Sequence, residues 1–214
     1  MANRSTSGFG LRMAMKLGNS PAISGQSKYA IKSGLGVGIF KGNPASIQLA
    51  GDTGYIQDSA FSTTDDGNDG GIDFTTANDA LLVGVHNGVF YIDNTTSKPT
   101  FANSVAASTT FGTNPNTNST DGVAFVNDDP DQEYVVKADA AVGQAIFGLC
   151  GNINDFAAGD AKDGASTATF DSGTQGETKM FRIVRSAEDP DNEDLTAAGA
   201  NIIVVINAAA NTYR

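Results

Sequence analysis

The residues with the most chemical promise are carboxylates in two runs, Asp128-Asp129-Pro130-Asp131 and Glu188-Asp189-Pro190-Asp191-Asn192-Glu193-Asp194. Two carboxylates facing each other across a cleft can serve a glycosidase as acid and as nucleophile or base. That chemistry needs one acid held protonated by an apolar setting. With 24 acids in 214 residues accidental pairs are common, and both runs contain Asp-Pro, which initiates turns. Turns between strands are the plainer expectation. Calcium is the sharper one, because Asp189, Asp191 and Glu193 follow the first three ligand spacings of an EF-hand loop. Asp194 stands where that loop needs glycine, and Ala200 where it needs a bidentate glutamate, so an EF-hand is rejected. Asp189, Asp191 and Glu193 stay as weak candidates for a looser calcium site, beside the first run and Asp65, Asp66 and Asp69. No cofactor is expected.

The remaining chemistry is sparse. His86 is the only histidine, which removes nearly all triads and histidine-based metal sites. It precedes a predicted turn, where an exposed imidazole is expected. Gly34-Leu35-Gly36-Val37-Gly38 has the wrong spacing for a dinucleotide loop. The single Cys150 has no internal disulfide partner; at the end of an apolar run over 145–150 it reads as a small buried hydrophobe. The expectation is a structural protein rather than an enzyme.

The elements that would position these residues are short strands. The chain has 25 glycines, no tryptophan and 40% hydrophobic residues, enough for a core. Strand signals recur at 28–32, 37–40, 47–49, 55–56, 123–126, 134–138, 145–150, 167–170, 180–184 and 201–207, separated by turn residues. A short helical turn fits 154–158. Two polar loops are expected at 62–79 and 107–121. At 81–93, Asn87-Gly88 is the preferred type I′ pair. Pairing outward sets Val85 against Phe90 and Val83 against Ile92, which predicts a hairpin with one apolar face. The run Ile202-Ile203-Val204-Val205-Ile206 is apolar on both faces. It marks a central strand, or one whose Ile202, Val204 and Ile206 meet another subunit. The fold class is therefore all-β, an antiparallel barrel or sandwich with a jelly roll among the options.

Charge divides the chain. Residues 1–51 hold six bases (Arg4, Arg12, Lys16, Lys28, Lys32, Lys41) and no acid; residues 52–214 hold all 24 acids against seven bases, a net −17. A body so acidic would be repelled by phosphates, so nucleic acid is not an expected partner. Within 1–27, Phe9, Leu11, Met13, Met15 and Leu17 alternate with other residues at strand period. An extended arm over 1–27, ordered against a protein partner, is predicted beside a single β domain over 28–214. The partner-binding residues would be Arg4, Phe9, Leu11, Arg12, Met13, Met15, Lys16 and Leu17. No window approaches the ~18 apolar residues of a membrane span, and the N-terminus lacks the roughly 7–15-residue apolar core of a signal peptide. Synthesis in a cytoplasm and no membrane contact are expected.

Leu82-Val83-Gly84-Val85-His86-Asn87-Gly88-Val89-Phe90-Tyr91-Ile92-Asp93, continuing to Lys98-Pro99-Thr100-Phe101, is similar to a segment of the head decoration (cement) proteins of tailed phages, marine ones especially. Val126-Asn127-Asp128-Asp129-Pro130-Asp131-Gln132-Glu133-Tyr134-Val135-Val136 resembles that family's Asp-Asp-Pro turn leading into a strand. Gly151-Asn152-Ile153-Asn154 and the pattern from Ile183-Val184-Arg185 to Ile206 fit as well. The resemblance spans roughly 28–207, and His86 departs from the aromatic expected at its position. It implies a compact antiparallel barrel or sandwich on the outer capsid surface of a virion made in a host bacterium. It further implies binding to several subunits of the major capsid protein, often as a homotrimer. A tail, fibre or baseplate component of the same virion is the structural alternative, and a carboxylate-dependent glycosidase the catalytic one.

Overall fold

The computed structural model describes residues 3–18, 20–21, 25–48, 54–58, 82–154, 159–176, 179–208 and 211–213. The predicted loop at 62–79 with Asp65, Asp66 and Asp69, and the predicted helical turn beyond Asn154, lie outside them. In chain order the first strands are β1 (Arg12–Lys16), β2 (Gln26–Ile31), β3 (Ile39–Phe40), β4 (Pro44–Ile47), β5 (Ile56–Asp58), β6 (Leu82–Ile92), β7 (Pro99–Ala102) and β8 (Ser104–Val105). They continue with β9 (Gly122–Asn127), β10 (Gln132–Lys137), β11 (Cys150–Asn154), β12 (Gly159–Asp160), β13 (Ala165–Ser166), β14 (Thr169–Gln175), β15 (Phe181–Ser186) and β16 (Asn201–Ile206). A 3₁₀ turn covers Gln144–Ile146.

Among the described residues, every pairing between these strands is antiparallel. Two two-stranded sheets, β3-β8 and β12-β13, accompany two six-stranded ones: one runs β1-β10-β16-β15-β11-β14, the other β2-β9-β6-β4-β5, with β7 added to β6. Both six-stranded sheets curl. Ala138, just past β10, bridges Phe170 on β14, and β2 approaches β5 without pairing to it. Neither sheet closes into a barrel, and the arrangement is sandwich-like. The fold is all-β, as the strand signals predict.

Each sheet wraps its own core. The first holds Tyr134, Val136, Phe170, Phe181, Ile183, Ile202 and Val204; the second holds Ile31, Ile39, Ala45, Ile56, Ala124 and Val126. Strand β6 joins them, sending Leu82 and Val85 into the first and Val83 and Val89 into the second. This arrangement overturns the predicted hairpin. Residues 82–92 form one strand, which pairs with β4 through Leu82–Val85 and with β7 through Val89–Ile92. Asn87 falls at a register shift against β9, between His86 and Gly88. The pair that would suit a tight turn instead accommodates a bulge, the extra residue letting β6 bend as it changes partners.

A second correction concerns 145–150, where a strand was expected. The 3₁₀ turn and a tight bend, with Leu149 N donating to Ile146 O at 3.0 Å, occupy that run, and pairing starts only at Cys150. Ala145 and Gly148 are weak strand formers, and Gly148, at a φ of 90°, turns the backbone out of the extended conformation after Ile146 and Phe147. Cys150 is buried, as its setting suggested.

Candidate functional site

Both acidic runs form turns. The carboxylate of Asp189 accepts from Asp191 N at 3.1 Å, Asn192 Nδ2 at 3.2 Å and Asn201 Nδ2 at 2.6 Å. These donors, the Asp191 amide foremost, hold its carboxyl below the usual carboxylate range. Asp191 pairs with Arg4 at 2.9 Å, and Glu193 is exposed. Among the described residues, no three His, Cys, Asp or Glu side chains converge as a metal site. In the other run, Asp129 accepts from Asp131 N at 2.9 Å and forms an ion pair with Lys16, while Asp128 accepts from Tyr29 Oη at 2.8 Å.

The arm is bound to its own body. Asn3 Nδ2 donates to the carbonyls of Asp194 at 3.0 Å and Ala198 at 2.9 Å, and Asn3 Oδ1 accepts from Asp194 N at 3.0 Å. Lys137, buried on β10, donates to Ser5 O at 2.9 Å and Gly199 O at 3.3 Å. Desolvation lowers the Lys137 pKa, partly offset by the field of Asp189. Farther along, Gly10 N donates to Ala168 O at 3.0 Å and Leu11 N to Gly42 O at 2.9 Å. Then β1 pairs with β10, Arg12 opposite Val135 and Met13 opposite Tyr134.

The expected partner-binding residues therefore separate. Leu11, 3% exposed, belongs to the first core, which corrects its assignment to an external contact. Met13 packs against that core, and Arg4 and Lys16 are ion-paired within the chain. Phe9 is half-buried under the Arg12 guanidinium, 4.2 Å from the ring centroid, with Lys137 Nζ 5.6 Å from it. Met15 (48% exposed) and Leu17 (38%) keep surfaces open to a partner. The expected subunit contact at Ile202, Val204 and Ile206 is also corrected. Strand β16 lies between β10 and β15, and all three side chains are buried in the chain's own core, which leaves them no surface to offer.

His86 departs most from expectation. It is buried, not exposed; its Nε2 lies 3.3 Å from Gln57 O, and its Nδ1 has no partner. Desolvation lowers its pKa to about 4, so the ring is neutral at neutral pH.

The surface feature that sequence reasoning missed is aromatic. Phe101 on β7 is 74% exposed, and its ring centroid lies 4.6 Å from that of Phe90 and 6.4 Å from that of Phe125. None of these rings belongs to either core. The available signal was Pro99, which suits an edge strand because it cannot donate to a ladder, followed by alternation that turns Phe101 outward. A cleft of about 460 Å³ separates the arm from the second sheet, lined by Phe9, Leu11, Arg12, Met13, Lys41 and Asn127 among others. No protein-family model, curated protein or solved structure matches the chain.

Proposed function

We propose that this chain is a virion structural protein, a decoration (cement) protein that binds the outer surface of a tailed-phage major capsid shell and stabilises it. The carrying observation is the ridge of Phe90, Phe101 and Phe125 on the edge of the second sheet. Exposed aromatic clusters of this kind mark contact surfaces, because clustered aromatic rings supply the anchors of protein interfaces. The exposed Met15 and Leu17 add apolar surface on the arm. The resemblance over 28–207 supplies the choice of a capsid as the partner. Copies occupying neighbouring sites, as a homotrimer, fit the same reading, which requires neither catalysis, nucleic acid nor membrane.

A protein that binds only the assembled shell stabilises it by mass action, by about 2.7 kcal/mol per site at ~100-fold excess over Kd. The test is co-sedimentation with undecorated capsids of Phe101→Ser and of the double variant Phe101→Ser/Phe125→Ser. Binding should weaken at least about tenfold for loss of one central aromatic anchor. Unchanged thermal denaturation would show that the fold is intact. Wild-type decoration by the double variant would overturn the reading.

A further inference from the structure

The acid-free stretch of the sequence has a structural counterpart in the cleft between the arm and the second sheet. Its lining includes two cations, Arg12 and Lys41, and no carboxylate, although the chain carries 24 acids against 13 bases. Neither cation forms an ion pair among the described residues. Arg12 stacks on Phe9, whose ring also faces Lys137, so two positive groups flank that ring while Lys41 lines the same cleft. The half-buried Phe9 and Met13 supply an apolar wall. Asn127, 4% exposed, also lines the cleft, its Oδ1 buried without a partner.

We infer that this cleft is a binding site for a single carboxylate carried on a short apolar stem. The apolar wall takes the stem, and Arg12 and Lys41, both at the exposed rim of the cleft, take the charge; guanidinium and ammonium groups form charge-assisted hydrogen bonds to carboxylate. A volume of about 460 Å³ lies within the usual range for small-ligand sites, roughly 300–1,000 Å³. The ligand could be a free short-chain acid or an acidic side chain flanked by apolar residues in a partner protein. The inference stands on the cleft alone and does not depend on the ridge or on a capsid partner.

The test is an NMR titration of the ¹⁵N-labelled full chain with three probes: hexanoate, its neutral analogue hexanamide, and a terminally blocked Leu-Glu-Leu peptide. Hexanoate or the peptide should shift the amides of Gly42, Asn87 and Ala165 saturably, and hexanamide should not. Lys41→Gln and Arg12→Gln should each weaken binding about tenfold, the effect of losing one charge-assisted hydrogen bond. Lys98→Gln, remote from the cleft, should bind as wild type. Saturation by hexanoate alone would identify a free acid, and by the peptide alone a protein side chain; either supports the site. No saturable shift from either acid, an equal response to hexanamide, or wild-type binding by Lys41→Gln would overturn it. Because capsid co-sedimentation of the Phe101 variants reads a different surface, the two proposals fail separately.

Discussion

His86 makes the clearest residue-scale prediction. Its pKa falls from 6.5 to about 4 on folding, because burial disfavours the imidazolium and the hydrogen bond to Gln57 O offsets that only in part. Between those values the unfolded chain binds a proton that the folded chain does not, so stability is complete above about pH 6.5 and is lost as pH falls toward 4. From about pH 7 to about pH 5 the loss from this one group is about 2 kcal/mol. Urea denaturation at the two pH values should show that loss in the wild type, and His86→Gln should remove it, leaving only what the carboxylates contribute. An undiminished pH dependence in the variant would assign the effect elsewhere. A second residue-scale prediction concerns Glu133, whose side chain is fully buried and accepts from Arg185 Nη1 at 2.8 Å and Nη2 at 2.6 Å. Arg185→Ala strands that carboxylate, at an expected cost of about 3–5 kcal/mol, measurable as a shift in the urea midpoint.

At the scale of elements the arm carries the argument. Alternation of Phe9, Leu11, Met13, Met15 and Leu17 is strand periodicity, and β1 does form, but as an edge strand of its own sheet. Deleting 1–27 would therefore remove a core residue and the Ser5 carbonyl that receives Lys137, and would lower stability as well as any contact with a partner. Leu11→Ala is expected to cost about 2–5 kcal/mol. Gly8 makes an independent check, since a Cβ there would collide with the carbonyl oxygen of Thr167. Gly8→Ala should thus detach the strap locally, seen as faster hydrogen exchange at Gly10 and Leu11, whose amides donate to Ala168 and Gly42. Met15→Ser, on the open side, should leave stability within about 0.5 kcal/mol.

For the whole molecule, β6 decides how the two halves behave. Because Leu82 and Val85 enter one core while Val83 and Val89 enter the other, neither sheet keeps a complete core without the other. The two should unfold together. Denaturant-dependent hydrogen exchange at Val204, in the first sheet, and Ala124, in the second, is expected to converge on one opening free energy; separate values would indicate two independent folding units.

Residue types and spacing were enough to determine the fold class, most strand positions, the central place of 201–206, the turns at the acidic runs and the burial of Cys150. These follow from local preferences: β-branched content, period-two alternation, and Asp-Pro as a turn former. What the local pattern could not supply was the choice among partners. Asn87-Gly88 suits a turn and also suits a bulge, and only the availability of both β4 and β7 along β6 made it a bulge. His86 looked exposed because a turn was expected beside it, and became buried once the strand continued. The arm's alternation specified a strand without naming its neighbour, and β10 supplied one within the chain. The aromatic ridge depends on β6, β7 and β9 lying side by side, and the carboxylate cleft on residues from 9 to 165 meeting across both sheets. The acid-free stretch was legible as a charge asymmetry; tertiary packing turned part of it into a strap and gathered Arg12 and Lys41 at one cleft.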